Sequence, residues 1–350
     1  MIQRNLYYIP SKAGTQAVFA CRGLSCYNIQ AMSMKTYRYN RVSFFAPERK
    51  KLRITIFVIM LVILAFICLI GIVKDNFTIE TREITVSHEQ IPREFDGYRI
   101  LQISDINGQY FGTYQERLIK AIEALDGNYD IVVLTGDYIA KPDTDDYRPI
   151  LDILEVFKDK TPVYYCLGER DYAYDTDDIG TSFISFNPAE KNQLMQEMEK
   201  MDAVFIYPIQ EILRGESKIY LTGTRYYEAA FSKTNFDMDK DFSICVTHVP
   251  IGYNVSNRIT ENNSVKLQEV DFDFCISGHT MGGIIRLPVL GAVYSAEDGL
   301  FPQEKTTYGL HKDSAGRITY ITSGLGCTDS LPFRVLNTPE ICVYTLKAQK

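Results

Sequence analysis

A continuous apolar run from Ile54 to Val73 constrains this chain more than any other feature of its sequence. The run is 20 residues long and contains no charged side chain. As an α-helix it would extend about 30 Å, which is the thickness of the hydrocarbon core of a bilayer. A buried core helix or the apolar part of a signal peptide is normally shorter, and no small-residue cleavage site follows the run. The sequence therefore predicts one transmembrane helix at residues 54–73.

Charge is distributed unevenly on the two sides of this run. Residues 1–53 carry ten Lys or Arg and one acid, Glu48, although the whole chain has a net charge of −7. Because basic flanks stay on the cytoplasmic side, we predict a single-pass protein of the cell membrane with a cytoplasmic N-terminus and an extracytoplasmic main domain. Within the basic tail, residues 1–33 are interpreted as either a floppy tail or an overextended start. The acidic main domain lacks the basic stripe that nucleic acids require, so no nucleic-acid partner is expected.

Strand and helix patterns alternate beyond a linker predicted at residues 74–92. Helical spacing is seen at residues 114–125 and 150–157. Five apolar runs are predicted as buried strands: residues 98–104, 130–135, 163–167, 242–247 and 272–277. This order predicts parallel strands with crossover helices, in one α/β domain at residues 93–346.

A polar cluster directly follows each of these five strands. The clusters are Asp105, Gly136-Asp137, Gly168-Glu169-Arg170-Asp171, His248 and His279. Because the carboxyl ends of parallel strands meet at one edge of a sheet, we expect the clusters to converge. Two further acidic stretches, at residues 143–146 and 171–192, match no calcium-loop spacing and are interpreted as solvated surface.

The clusters resemble, in order and spacing, the metal motifs of the calcineurin-like metallophosphoesterases, in particular their membrane-anchored bacterial branch. The motif residues are Asp105-Ile106-Asn107, Gly136-Asp137, Gly168–Asp171, His248 and Gly278-His279-Thr280-Met281-Gly282-Gly283. The closing segments Thr322–Gly326, Leu331–Arg334 and Pro339–Ile341 add to the resemblance, which covers about residues 80–346. It implies an α/β fold, a β-sandwich of two mixed sheets flanked by helices, and a two-metal site that hydrolyses phosphate esters.

Half of the family's site roles are changed in this chain. The resemblance implies that Asp105, Asp137, His248 and His279 are retained, whereas Asn107 and Met281 replace histidine ligands. It also implies that Glu169 replaces an asparagine ligand and that Arg170 replaces a proton-donating histidine. The first metal would then be bound by Asp105, Asn107, Asp137 and Met281, and the second by Asp137, Glu169, His248 and His279. A thioether suits these ions poorly and Asn107 is a weak ligand, so we expect one divalent ion (Mn, Zn or Fe) rather than two.

The role of Arg170 stays open between two interpretations. Its guanidinium is always protonated, so it cannot act as a general acid. It can clamp a phosphate through two parallel hydrogen bonds. Alternatively, it pairs with Glu169 or Asp171 beside it in the sequence.

These features lead to three hypotheses about function. The first is a membrane-anchored extracytoplasmic phosphomonoester or phosphodiester hydrolase fold, with activity weakened or lost through the degenerate site. The second is a fully active enzyme with an altered one-metal site. The third is a pseudoenzyme that binds a phosphorylated envelope component or a protein partner. A phosphorylated small molecule, lipid or wall component is the expected ligand, and residues 54–73 are the expected membrane contact.

Overall fold

The computed structural model describes most of the chain beyond the N-terminal tail. The described residues are 46–171, 191–207, 209–223, 236–237, 239–252, 272–329 and 331–349. The chain divides into two compact units, Met1–Ile56 and Phe57–Lys350, and every contact given below lies within the second unit. The predictions for residues 1–33 fall outside the described residues.

The apolar run forms the middle of helix α1, Ala46–Phe77. Its segment Arg49–Phe77 is long and apolar enough to cross a membrane, and it is almost entirely unburied by the rest of the protein. Among the described residues it is the single helix with these properties. An apolar helix exposed all round is stable in lipid rather than in water, so the structure supports membrane association through α1.

The segment predicted as a linker, residues 74–92, is largely part of the domain, so this prediction differs from the structure. Helix α1 continues to Phe77, and β1 (Glu80–His88) pairs in parallel with β15 (Glu340–Ala348) along its whole length. Strand β1 is an edge strand in which Ile84 and Val86 alone are buried, so its sequence shows little apolar periodicity. The sheet therefore begins at Glu80 rather than after residue 93, and it ends at Ala348.

Two six-stranded mixed sheets form the domain. The first has the order β1, β15, β2 (Arg99–Ile103), β3 (Ile131–Thr135), β4 (Val163–Cys166) and β5 (Ala203–Phe205), and only the β15–β2 pair is antiparallel. The second has the order β13 (Gly309–Lys312), β14 (Ile318–Ile321), β9 (Phe274–Ser277), β8 (Ser243–Val246), β7 (Ser217–Gly223) and β6 (Ile209–Arg214), with an antiparallel pair at each end. A small third sheet contains β10 (Ile285–Leu287), β11 (Gly291–Ser295) and β12 (Gly299–Leu300). The described helices after α1 are α2 (Glu116–Glu123), α3 (Arg148–Phe157), α4 (Gln193–Glu199) and α5 (Glu304–Thr307), besides short 3-10 turns.

The two large sheets pack face to face over a shared core. Ile100 and Val133 of the first sheet belong to the same buried cluster as Ile244 and Phe274 of the second. The outer face of the first sheet is covered by α2, α3 and α4. Each such fully buried apolar side chain contributes about 1.5–3 kcal/mol. The structure thus confirms the predicted β-sandwich of two mixed sheets flanked by helices, and each of the five predicted strands is present.

One polar side chain links the sheets immediately beneath the strand ends. Gln102 on β2 donates from Nε2 to Thr135 Oγ1 (2.8 Å) and to the Ser277 carbonyl oxygen (3.2 Å). Its Oε1 accepts a hydrogen bond from the Tyr344 hydroxyl. A buried amide is stable when its hydrogen bonds are satisfied, and here they join the ends of β2, β3 and β9. This link positions the edge from which the polar clusters project.

Candidate metal centre

Three side chains that follow different strands meet at this edge. The ligand atoms of Asp105, Asp137 and His248 all lie within 4.8 Å of one another, and all three residues are buried. Asp105 follows β2, Asp137 follows β3 and His248 follows β8. Two carboxylates and an imidazole at this spacing are a donor set that suits Zn, Mn or Fe ions.

The tautomer of His248 is fixed by its hydrogen bond to the backbone. His248 Nδ1 lies 2.8 Å from the Thr135 carbonyl oxygen, which can only accept, so Nδ1 donates its proton there. Nε2 then faces Asp137 Oδ2, 3.4 Å away, and carries the second proton of the ring when no ion is bound. Orientation of a ligand imidazole by a backbone carbonyl is the usual arrangement around protein metals.

His279 extends this cluster from the neighbouring strand β9. Its Nδ1 lies 3.3 Å from His248 Nε2, and the two rings are nearly perpendicular at 84°. Its backbone N–H donates to Asp105 Oδ1 at 2.9 Å. The structure therefore places Asp105, Asp137, His248 and His279 together.

Strained backbone holds the side chains of the site. Five non-glycine residues of the motifs have positive φ angles between 49° and 71°: Asp105, Asn107, Asp137, His279 and Met281. Each such conformation costs of the order of 1–3 kcal/mol and persists where the surroundings enforce it. Gly168 and Gly278 approach so closely that an added Cβ would overlap the carboxylates of Asp137 and Asp105 respectively. The same left-handed backbone is therefore found at Asn107 and Met281 as at Asp105, Asp137 and His279.

Asn107 and Met281 contact each other on the first-metal side. Asn107 Nδ2 donates to Met281 Sδ at 3.4 Å and to the Cys327 carbonyl oxygen at 3.2 Å. Because that carbonyl can only accept, the amide nitrogen must face it, and Oδ1 points elsewhere. Asn107 Oδ1 is buried and has no hydrogen-bond partner in the described part of the chain. Asn107 lies two residues after Asp105, and its buried orphan oxygen fits a cation ligand, whereas the Met281 sulfur is already engaged as an acceptor.

Arg170 forms ion pairs with partners that neither sequence interpretation included. Its Nε lies 3.7 Å from Asp137 Oδ2, and Nη1 lies 3.4 Å from Asp329 Oδ2. Nη1 also donates to the Ala140 carbonyl oxygen at 2.6 Å, and the backbone N–H donates to Asp137 Oδ1 at 2.9 Å. The side chain is 22% exposed, so the guanidinium lies at the mouth of the site beside the Asp137 carboxylate.

Asp171 was predicted to be solvated surface, and this prediction is wrong. It is 1% exposed, and it accepts backbone N–H bonds from Asp137 (2.7 Å), Tyr138 (2.8 Å) and Gly168 (2.8 Å). These bonds fix the loop that carries Asp137. Its position in the same motif as Gly168 was the signal for this role. The other acids of that predicted surface loop, at residues 172–178, lie outside the described residues.

Glu169, expected to be a ligand of the second ion, lies in the 3-10 turn Glu169–Asp171 and is half-buried. Its carboxylate is not part of the compact cluster of Asp105, Asp137 and His248. Of the expected ligand set, the structure brings Asp137, His248 and His279 together, and the role of Glu169 stays a prediction.

The buried charges perturb one another strongly. Burial disfavours the ionised forms and raises the pKa of Asp105 to about 6. Burial likewise opposes charge at Asp137 and His248, but their mutual attraction outweighs it, lowering the pKa of Asp137 to about 2 and raising that of His248 to about 10. Burial and the charge of His248 lower the pKa of His279 to about 4. Without an ion, a proton on His248 supplies the positive charge that this acidic edge requires.

A buried group of carboxylates and imidazoles at the strand ends of an α/β sandwich could hold a divalent metal ion, as the sites of metal-dependent hydrolases do. The model of the family described as calcineurin-like phosphoesterase matches residues 98–283, which is more than half of the chain. The chain therefore belongs to the calcineurin-like phosphoesterase family.

Relatives from a bacterium and a vertebrate share this domain, and the name of one of them describes a transmembrane protein. The chain is 27% identical over 280 residues to the uncharacterized metallophosphoesterase YkuE of Bacillus subtilis (strain 168), covering 77% of this chain and 86% of YkuE. It is 24% identical over 296 residues to a transmembrane protein with metallophosphoesterase domain of Danio rerio, covering 83% of this chain but 62% of that protein. Among solved structures, GAP50, the anchor in the inner membrane complex of Plasmodium, has 12% identity and a TM-score of 0.36, with 70% of this chain and 80% of that chain covered.

Proposed function

We propose that this protein is a membrane-anchored phosphoester hydrolase that uses one divalent ion and has weakened activity. One observation supports this more than any other. The donor atoms of Asp105, Asp137 and His248 are clustered within 4.8 Å, whereas Asn107 and Met281 contact each other where the family resemblance implies histidine ligands. One half of the site can therefore bind an ion through carboxylate and imidazole, and the other half has no imidazole.

The residues present fit one ion and assign the remaining tasks. Asp105, Asp137, His248 and His279 would bind it, and the bound ion would supply a Lewis acid and positive charge at the phosphoryl oxygens. Arg170, held against Asp137, is available to bind a phosphate oxygen at the mouth of the site. Its guanidinium does not release a proton near neutral pH, so protonation of the leaving group falls to solvent. The activity should be greatest for esters whose leaving group needs no protonation.

We propose the orientation with the N-terminus in the cytoplasm and residues 78–350 outside. Its support is the basic flank before α1, which carries ten Lys or Arg against one acid. Protease added to intact cells should digest the domain. Protection of the domain until the cells are lysed would show the opposite orientation.

Two other functions share the fold and differ in turnover. A fully active one-ion enzyme is favoured by the intact Asp137–His248 pair. A phosphate-binding module without turnover is favoured by the replacement of the family's acid by Arg170, which holds a permanent positive charge. Hydrolysis rates separate these two from the weakened enzyme.

The test is metal content and hydrolysis of the full-length chain in detergent. We expect one ion per chain after loading with manganese, and slow manganese-dependent hydrolysis of an aryl phosphodiester. Asp137→Asn should abolish both, and Asp143→Asn, which changes an exposed acid outside the site, should alter neither. Absence of any bound ion in the parent would contradict the proposal.

A further inference from the structure

The C-terminal end of α1 is fixed to the domain rather than tethered to it. Asp75 is 2% exposed, and its carboxylate accepts from the Asn337 backbone N–H (2.9 Å) and from the Thr338 hydroxyl (2.7 Å). Gly71 packs against Leu336 so closely that an added Cβ would lie 2.6 Å from its Cδ2. A buried carboxylate with two donors and a glycine contact require a defined geometry.

The loop that receives α1 also hydrogen-bonds to the segment that contains Met281. Asn337 Nδ2 donates to the carbonyl oxygens of Met281 (2.8 Å) and Gly283 (2.6 Å). Met281 in turn accepts from Asn107. Hydrogen bonds through Asn337 and Met281 therefore link Asp75 to Asn107, two residues after Asp105, so the metal centre adjoins the loop that receives α1.

The depth in the membrane of the contact between Gly71 and Leu336 follows from the position of Gly71 in α1. Gly71 lies two residues before Val73, the end of the apolar run, so its contact with Leu336 is about 3 Å inside that end. If Val73 lies at the edge of the hydrocarbon layer, Leu336 touches the boundary between hydrocarbon and headgroups.

The surface beside this contact has side chains that favour the boundary between hydrocarbon and headgroups. Phe77 is 68% exposed and packs on the guanidinium of Arg117 at 5.3 Å, while Arg117 Nη1 donates to the Asn76 carbonyl oxygen at 2.7 Å. Tyr114 is 71% exposed on a left-handed turn. Tyrosine rings concentrate at the headgroup level on both sides of a membrane, and a guanidinium at that level can bind a lipid phosphate.

That turn is built to hold Tyr114 outward. The neighbouring Gln115 also has a positive φ and is fully buried. Its side chain accepts from the Phe111 N–H (2.8 Å) and donates to the carbonyl oxygens of Gln109 (2.8 Å) and Pro149 (3.0 Å). The exposed aromatic ring is therefore a fixed feature of the surface.

We propose that this surface, formed by Phe77, Tyr114 and Arg117, rests on the lipid headgroups and that the metal centre takes its phosphate ester from a membrane amphiphile. The amphiphile's apolar chains stay in the bilayer while its phosphate reaches the edge that bears Asp137 and Arg170. This inference rests on the proposed function for the chemistry at the phosphate, and it names the class of substrate.

The first experiment measures contact with lipid and needs no activity. The chain has no tryptophan, so Tyr114→Trp introduces a single fluorophore. In the full-length protein reconstituted into vesicles of brominated phosphatidylcholine, we expect at least twofold quenching of this tryptophan. Leu213→Trp is the matched control, because Leu213 is similarly exposed (69%) but lies on β6 at the edge of the second sheet, and it should not be quenched. If Tyr114→Trp does not fold, Phe77→Trp gives the same readout, and a tryptophan at the proposed surface that bromine does not quench overturns the membrane contact.

The second experiment measures the substrate class by binding. The manganese-loaded full-length chain is titrated with dihexanoyl phosphatidate and with glycerol 3-phosphate, which carry the same phosphate with and without apolar chains. We expect at least tenfold tighter binding of the phosphatidate, and equal or weaker binding would overturn the inference. Tight phosphatidate binding without hydrolysis of any ester would refute the proposed hydrolase and leave this inference standing. Hydrolysis of soluble esters together with an unquenched tryptophan would support the proposed hydrolase and refute the membrane contact.

Discussion

Asn107 donates a hydrogen bond from its amide nitrogen to the thioether sulfur of Met281, 3.4 Å away and 174 positions along the chain. Both are positions where the family resemblance implies imidazole ligands, and both keep a left-handed backbone, with φ angles of 52° and 49°. The two side chains thus contact each other, while Asn107 Oδ1 has no hydrogen-bond partner among the described residues. Because they form a contacting pair, replacing both together is the direct test of a second ion.

Reversal of the degenerate positions should restore a second ion. The triple change Asn107→His, Arg170→His and Met281→His supplies two imidazole ligands and one titratable proton donor. We expect the metal content to rise from one ion to two per chain and manganese-dependent hydrolysis of an aryl phosphodiester to rise at least tenfold. Single changes should do little, because ligands of one ion act as a unit.

The control for this rescue is Asp137→Asn in the triple variant, which removes the carboxylate shared by both ions and should abolish the gain. A parent that already turns over as fast as the triple variant would show that Asn107, Arg170 and Met281 are adaptations to a different chemistry.

The close approach of Gly168 to Asp137 gives a test of the site's tight packing. An alanine there would place its Cβ against both the carboxylate and the backbone nitrogen of Asp137. We expect Gly168→Ala to weaken metal binding at least tenfold by displacing Asp137, as followed by competition with a chromogenic chelator. Gly223→Ala is the matched control, since the nearest atom to its added Cβ is 3.6 Å away and its φ is not in the left-handed region. Unchanged metal affinity in Gly168→Ala would mean that the loop accommodates the added methyl group without displacing Asp137.

Much of the two-sheet fold could be predicted from the sequence, because buried strands and the residues that follow them have strong local sequence patterns. The apolar runs at 130–135 and 272–277 predicted β3 and β9 and the ends from which Asp137 and His279 project. Strand β1 could not be predicted in this way, because an edge strand with outward charges has a weak pattern and is defined by its partner β15.

The parts of the site that sequence reasoning missed depend on contacts between distant segments. Asp329, which pairs with Arg170, comes from a loop 159 positions away and belongs to no motif used for prediction. Asp171 has an acidic sequence context typical of surface, yet it is buried because three backbone N–H groups converge on it. Which residues meet across such long sequence separations depends on the fold, and the spacing of motifs does not reveal it.

Asp171 should contribute to stability by organising the loop of Asp137. Asp171→Asn replaces one acceptor oxygen by an amide that cannot accept from these N–H groups, leaving at least one buried donor unsatisfied. We expect a loss of about 1–3 kcal/mol in the free energy of unfolding, together with weaker metal binding. Chemical denaturation of the full-length chain in detergent measures the first. Asp143→Asn, at an exposed side chain, should change stability by less than about 0.5 kcal/mol. Equal stability of the Asp171 and Asp143 variants would contradict a structural role for Asp171.

Metal binding should release one proton from His248 near neutral pH. In the ion-free site the pKa of His248 is raised to about 10 by Asp137, so the ring is protonated at pH 7, whereas a ligand imidazole must be neutral. His279, with its pKa lowered to about 4, is already neutral and releases none. Affinity should therefore rise about tenfold per pH unit between pH 6 and 10, and more steeply below about pH 6, where Asp105 also carries a proton.

The same shift sets the stability of the ion-free protein. Because the pKa of His248 in the folded state exceeds its usual 6.5, its contribution is complete below pH 6.5 and is lost as the pH rises through about 10. The thermal stability of the parent, measured in chelator, should therefore decrease between pH 6.5 and 10, and that of His248→Gln should decrease much less.

The proton released on metal binding is measured directly by calorimetric titration of manganese at pH 7, in buffers of different ionisation enthalpy. We expect about one proton per ion in the parent and close to none in His248→Gln, and proton release that this substitution leaves unchanged would assign the charge to another group.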